Sequence, residues 1–262
     1  MSKKKVLIRN KDWITIKDNG IIYLQSKLLL DNGFNHGFFT KVSGDNKNKS
    51  LSKLFSPGTC IYSLHQVHGS EIIKTSELSS NKLKKADGIF SDQDNQGLWI
   101  YTADCIPILI GDMKNRYVAA VHSGWRGLAK GILRNTIETI KEWGFDKQNL
   151  LIALGPAISI NNYIVSKSTI NSIYLDFNKN KNYQFNDFIK YMISTGCIKI
   201  TNTPEEFLLD IRLTAKIQLK NEGIKENQIS INSNCTYSES SYFQSWRREK
   251  IKSRQWSFIS SN

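Results

Sequence analysis

Long apolar runs are missing from this sequence. No segment approaches the roughly 18 uncharged residues a membrane-spanning helix needs, and the basic start MSKKKVLIRNKDWITIK is not followed by the apolar stretch of a secretion signal. A soluble, unprocessed chain without a membrane partner is expected. Cysteine is scarce and scattered: Cys60, Cys105, Cys197 and Cys235 include no C-x-x-C pair, so neither a zinc ribbon nor a disulfide framework is indicated, and a cytoplasmic location is expected. Internal repeats and low-complexity linkers are also lacking. With 262 residues, 40% of them apolar, one domain spanning 1–262 with a sizeable core is the expectation. Acidic residues are outnumbered, 23 against 36 Lys and Arg, for a net charge of +13. The excess is spread along the chain rather than gathered in one block, so it reads as solvated surface, and nucleic acid is not expected as a partner.

What is present is a succession of short apolar segments. Asp/Asn-Gly pairs in KDNG and LDNG, each between alternating runs, predict hairpin turns. Residues 44–56 predict a polar loop. Short strands are expected at 60–66, 88–91, 98–102, 106–111 and 117–121, with connections too short for crossover helices, so pairing should be largely antiparallel or mixed. Leu128, Ile132, Leu133, Ile137, Ile140 and Trp143 have helical spacing with Gly144 as the stop, predicting one helix over 127–143. A buried strand at 150–154 and a second helix within 203–221 follow, the latter starting either at TPEE or at Asp210. The expected class is α+β, a single domain of mixed, largely antiparallel sheets flanked by helices.

Only four histidines occur, and three lie in stretches that invite chemistry. His122, in AAVHSGWRGLAKGIL, ends an apolar strand at the start of a helix, where backbone N–H groups favour anions. In HQVHGSEI, His65 and His68 would face opposite sides of a continuous strand, so only one could enter a given site; Gly69 leaves His68 at the rim. Cys105, in YTADCIPILIGD, sits with Asp104 where a hydrophobic hairpin is interrupted. A cysteine there is either inert core or a ligand, and a buried aspartate needs donors. Two imidazoles and a thiolate would make an open three-ligand zinc site able to polarise a substrate or activate water. Their spacing does not by itself guarantee convergence.

The stretches HQVHGSEI, ADGIF, TADCIPILIGD, AAVHSGWRGLAKGI, LGPAIS with Tyr163, LDI, CTY and SWRR, in that order, resemble the motifs of the YfiH-type family, also called the laccase-domain or multicopper polyphenol oxidase family. The likeness spans about residues 34–255. It implies a metal, zinc with copper as the alternative, on His68, Cys105 and His122. It also implies phosphorolysis of adenosine, inosine, guanosine and methylthioadenosine, with adenosine deamination and an older assignment of copper-dependent phenol oxidation. Purine nucleoside and phosphate would be the partners of a monomer or homodimer. Asp104 would either orient the site or cap the turn before Pro107. Arg126 would bind phosphate or pair with an acid; Arg247 and Arg248 would reach the pocket or serve as structural cations. His36, in NHGFFT, is assigned a turn role.

Two departures stand out. The family's arginine after HGFFT is Lys41 here, and its later Asn-Arg pair is missing from the shortened VSGDNKNKSLSKL, leaving Lys47, Lys49 or Lys53 as replacements, so weaker phosphorolysis than in relatives with the pair is expected. Ile164 and Ser166 stand where relatives carry a carboxylate and a glycine. Two other classes remain open: a hydrolase or deamidase with Cys105 as nucleophile and His122 as base, and a basic binding protein without catalysis.

Overall fold

Trp99 lies between Leu98 and Ile100, and all three are fully buried, which requires a strand covered on both faces. In the computed structural model, which describes residues 4–43, 51, 59–78, 83–179 and 183–261, that strand is β8 (Gln96–Thr102). Numbered along the chain, it belongs to a seven-stranded sheet ordered β1 (Lys5–Arg9), β2 (Trp13–Asp18), β3 (Ile21–Ser26), β4 (Asn35–Phe39), β16 (Gln255–Ser260), β8 and β5 (Cys60–Ser63). A six-stranded sheet is ordered β15 (Ile229–Ile231), β11 (Leu150–Leu154), β9 (Ile106–Asp112), β10 (Val118–Ser123), β7 (Gly88–Phe90) and β6 (Ile72–Lys74). The pairs β5–β8, β6–β7 and β11–β15 are parallel, and the remaining pairs are antiparallel. A small third sheet holds β12 (Ile164–Ser166), β14 (Glu206–Leu209) and β13 (Ile198–Ile200).

Side-chain alternation builds the layers. Leu98 and Ile100 meet Leu109, Val118, Ala120 and Leu151 between the two large sheets. The alternate residues Ile106, Ile108, Ile110 and Val121 face the helical side, against Leu128, Ile132, Leu133 and Ile137. That side carries α2 (Trp125–Ala129), α3 (Ile132–Glu142), α4 (Lys167–Phe177), α5 (Phe185–Ser194) and α6 (Ile211–Asn221), while α1 (Lys27–Leu30) and α7 (Trp246–Glu249) are single turns. The class is α+β. No described helix is long and apolar enough to cross a membrane.

Several expectations change. Asn19 and Gly20, at φ 49° and 82°, do turn the β2–β3 hairpin, but LDNG closes α1 instead: Phe34 N–H donates to Leu29 O and Gly33 takes φ 78°, a left-handed helix end. The helix expected over 127–143 is two helices, because Gly131 adopts φ 74°; a Cβ there would meet Arg134 and Asp176 at 2.4 Å. Leu128, Ile132, Leu133, Ile137 and Ile140 are buried as the spacing predicts, and Trp143 is partly buried; the continuity is not there. α6 starts at Asp210, whose carboxylate accepts from Leu213 N–H at 2.9 Å, which decides between the two starts. The strand expected at 60–66 stops at Ser63. The supposed hairpin around Asp104 and Cys105 is a crossing, since β8 and β9 lie in different sheets. Of the 44–56 loop only Leu51 is described, and Lys47, Lys49 and Lys53 lie outside the described residues.

His36 is a strand residue, not a turn residue. Fully buried on β4, it accepts from Ser26 N–H through Nε2 at 2.9 Å and donates from Nδ1 to Phe34 O at 2.9 Å. Burial is the main cause that lowers its pKa to about 4, and the Ser26 N–H bond to Nε2 also favours the neutral ring. The unfolded chain therefore binds the extra proton first, and stability present above the unfolded value of 6.5 is lost as pH falls towards 4. The expected loss is on the order of 3 kcal/mol. Urea midpoints of wild type should fall across that window, while His36→Gln, less stable throughout, should lack this part of the slope; parallel profiles would refute the assignment.

Candidate metal centre

After β5 the chain makes one bridge, His65 to Lys85, and enters a loop held by side chains. Gln66 acts as a short strand: its Oε1 accepts from Tyr101 N–H at 2.9 Å and its Nε2 donates to Tyr101 O at 2.8 Å. The next three N–H groups, of Val67, His68 and Gly69, converge on the Asp87 carboxylate at 3.1, 2.9 and 2.6 Å. His68 takes φ 57° to allow this, a strained conformation for a residue with a Cβ, costing on the order of 1 kcal/mol and offset by the charge-assisted bonds. Lys130 Nζ holds the His68 carbonyl at 3.0 Å. Because the strand has already ended, the alternation argument does not apply; His65 is exposed, off the site, and His68 is in it.

Asp87 immediately precedes β7, beside β10, and so reaches a second ligand. Its Oδ1 accepts from His122 Nδ1 at 2.8 Å, fixing the tautomer that leaves Nε2 free. Cys105 comes from the crossing, where Asp104 has φ 83°, and its Sγ lies 3.9 Å from His68 Nε2. The two imidazoles stand edge to face with centroids 4.7 Å apart. The ligand atoms of His68, Cys105 and His122 all lie within 4.8 Å of one another. Close packing of the thiol depends on Gly124, where a Cβ would come within 2.5 Å of Sγ.

Electrostatics agree with the geometry. Burial pushes the Cys105 thiol up, but His122 and then His68 outweigh it and bring its pKa down to about 6. Burial pushes His122 down, and Cys105 and Asp87 outweigh that, raising it to about 9. Burial of Asp87 is likewise outweighed by His122, Gly69 and Val67, so its carboxyl stays below the ordinary range. Each group thus favours the charged form of the other, the thiolate on Cys105 and the protonated ring on His122, with Asp87 steering that ring. That donor set, two imidazole nitrogens and a sulfur with one ring anchored behind, suits a borderline-soft divalent ion whose binding displaces a proton.

The trio opens into a cavity of about 540 Å³. Among the described residues its wall carries Arg126, Arg247, Lys250, Lys252 and Arg254, with Asp104 the only carboxylate. Both oxygens of Asp104 are engaged: Oδ1 accepts from Thr236 Oγ1 and Oδ2 from Arg247 N–H, each at 2.7 Å. Asp104 therefore ties the crossing to α7 and touches neither histidine. Arg126 is exposed, its guanidinium 4.5 Å from the Trp125 ring centre, and no carboxylate pairs with it among the described residues. The helix it belongs to has only five residues, too short for the macrodipole expected there. Arg248 is not part of the wall: it donates to the carbonyls of Thr236, Tyr237 and Phe243 and pairs with Glu249. Arg247 is, lying over the Tyr163 ring. Reasoning from the residues gave Asp87, Gln66 and Gly124 no role. The available signal was Asp87 itself, an acid directly before the apolar GIF, which burial obliges to find donors.

A family model described as multi-copper polyphenol oxidoreductase laccase matches residues 37–262. The chain belongs to that family. Among curated members of this laccase-domain family, the purine nucleoside phosphorylase slr1573 of Synechocystis is 31% identical over 254 residues, covering 92% of this chain and 94% of that protein. The purine nucleoside phosphorylase YfiH of Escherichia coli is 31% identical over 219 residues, covering 82% and 81%. Among solved structures, YfiH of Bacillus licheniformis has the same fold with a TM-score of 0.76 at 24% identity, covering 92% of this chain and 96% of that one. YlmD of Geobacillus stearothermophilus reaches 0.72 at 20% identity, covering 99% and 100%.

Proposed function

We propose that this laccase-domain chain is a zinc-dependent purine nucleoside phosphorylase, acting on adenosine, inosine, guanosine and methylthioadenosine, with adenosine deamination at the same site. The observation that carries the reading is the meeting of the His68, Cys105 and His122 ligand atoms in a cavity whose wall has five cations and one fully engaged carboxylate. Such a wall favours an anionic co-substrate, which phosphate is, and the names of the relatives agree. Zinc on the three ligands would supply a Lewis acid able to polarise the substrate or a bound water. The chain's own residues do the rest. Asp87 keeps the Nδ1 proton of His122 in place, so Nε2 is the atom His122 would turn to the zinc. Arg126 and Arg247 hold and orient phosphate towards C1′. Deamination would set water against C6 in its place. Copper would fit the same donors, and a cytoplasmic setting suits the free thiols.

The test is metal analysis of the purified protein together with base release from inosine and adenosine, with and without phosphate. About one zinc per chain and phosphate-dependent release of hypoxanthine are expected; base release independent of phosphate would remove the phosphorylase reading. Arg126→Ala is expected to keep its zinc and to raise the KM for phosphate about tenfold, the low end for a charge-assisted bond because the side chain is exposed. An unchanged phosphate dependence in a folded, zinc-loaded variant would end that role.

One observation favours a second reading. The Cys105 thiol, brought to about 6 beside His122, has the character of a nucleophile in a hydrolase or deamidase. Chelation separates the two: activity lost to a chelator and restored by zinc belongs to the metalloenzyme, and activity that survives chelation belongs to the thiolate.

A further inference from the structure

Tyr163 stands on the cavity wall immediately before β12, at the end of a short 3-10 turn over Ile160–Asn162. The Arg247 guanidinium covers its ring at 5.0 Å from the centroid. Arg247 is itself fixed at both ends, its N–H on Asp104 Oδ2 at 2.7 Å and its Nη2 on Ile164 O at 3.1 Å. The plane of the phenol is therefore set by the same network that positions the crossing. Its hydroxyl hydrogen-bonds to no other described residue. Tyr163 lines the same cavity as His68, Cys105, His122 and Arg126. Burial, reinforced by the thiolate, raises its pKa well above the usual tyrosine value, so the phenol keeps its proton at every working pH.

The geometry points to Tyr163 as a catalytic residue that donates a hydrogen bond from its phenol to N7 of the departing purine, an inference that rests on the phosphorylase reading and adds the group that stabilises the leaving base. In phosphorolysis a phosphate oxygen forms its bond to C1′ as the C1′–N9 bond breaks. The bonding pair passes into the purine and accumulates in its imidazole ring, where N7 is the open acceptor. Tyr163 stabilises that charge without surrendering its own proton. The proton the free base finally takes is the one phosphate loses on becoming the sugar ester. A neutral donor that meets charge developing on the leaving base is worth more in the transition state than in the ground state.

The test compares wild type with Tyr163→Phe, which keeps the ring under Arg247, on inosine and on 7-methylinosine, whose base leaves without negative charge and has no free N7. Equal zinc content and urea midpoints establish that the variant is folded and loaded. For inosine, kcat/KM is expected to fall about 100-fold. For 7-methylinosine the fall should be within about threefold, because no acceptor remains to be served. Titration calorimetry with hypoxanthine is expected to give about tenfold weaker binding to the variant. Equal losses on the two nucleosides, or no loss on either, overturn the inference. If wild type releases no base from either nucleoside, it is phosphorolysis that fails. The Tyr163 contact is then decided by hypoxanthine alone: tenfold weaker binding to the variant upholds it, and equal or absent binding overturns it.

Discussion

Cys105→Ala is expected to emerge from zinc-supplemented growth with almost no bound zinc, while Cys60→Ala, Cys197→Ala and Cys235→Ala keep about one equivalent, the stoichiometry of a single three-ligand site. The thiolate is the only anionic donor among His68, Cys105 and His122. Without it, two imidazoles 4.7 Å apart must hold a dication with no neutralising charge in contact. The loss should therefore exceed the 10 to 100-fold typical for a residue behind the ligands. Cys235 is the informative control. Burial pushes its thiol up, but hydrogen bonds from Ser159 and Ser238 outweigh that and bring its pKa to about 7, so a lowered thiol pKa marks it as well. Only zinc content separates a ligand from a merely acidic thiol, and full zinc in Cys105→Ala would mean that the ligand set is wrong.

Asp87→Ala is expected to be the most damaging substitution at a residue that touches no metal. One carboxylate accepts three consecutive N–H groups and the His122 ring, so its removal frees the loop carrying one ligand and the tautomer of another together. The loop donors are half-buried and recover some hydration, which puts the stability loss at about 3 kcal/mol rather than the sum over four bonds. Zinc affinity should fall at least 100-fold, above the usual range for an indirect residue because two ligands move. Asp87→Asn should be milder in stability and still lose about 10 to 100-fold in affinity, since a neutral amide cannot stabilise the polarised imidazole. The measurements are a competitive chelator titration and urea midpoints. Wild-type affinity in Asp87→Asn would show that geometry alone, and not the charge, matters at this position.

Local patterns made much of this fold legible. Strands at 88–91, 98–102, 106–111, 117–121 and 150–154 were each within about two residues of the observed elements, because alternating burial leaves its mark on neighbouring residues. His68, Cys105 and His122 stood out as unusual residue types at strand ends, and they do converge. Some misses have local causes, as at LDNG, and others do not. The break at Gly131 is a positive φ that the apolar spacing does not register; the crossing at Asp104 looks like a hairpin until the two strands are assigned to different sheets; and Asp87 owes its importance to three N–H groups some twenty residues earlier. Arg248 shows the converse, a cation beside the cavity in sequence but spent on carbonyls of its own segment. Partners distant in sequence decide the crossing and Asp87, whereas Arg248 is decided within its own segment.

β16 is the latest strand in chain order, yet it lies in the interior of the seven-stranded sheet, hydrogen-bonded to β4 on one side and β8 on the other. During synthesis the hairpins before residue 40 and the β5–β8 pair therefore remain two separate half-sheets, each with a bare edge, until residues 255–260 arrive to join them. Exposed edges of that kind recruit other chains. The same arrival positions α7 and Arg247 against the crossing that carries Cys105. For a nascent chain, completing the sheet and completing the wall of the cavity are a single late event, so a ribosome that stalls before this point leaves a product with two sticky edges and no finished pocket.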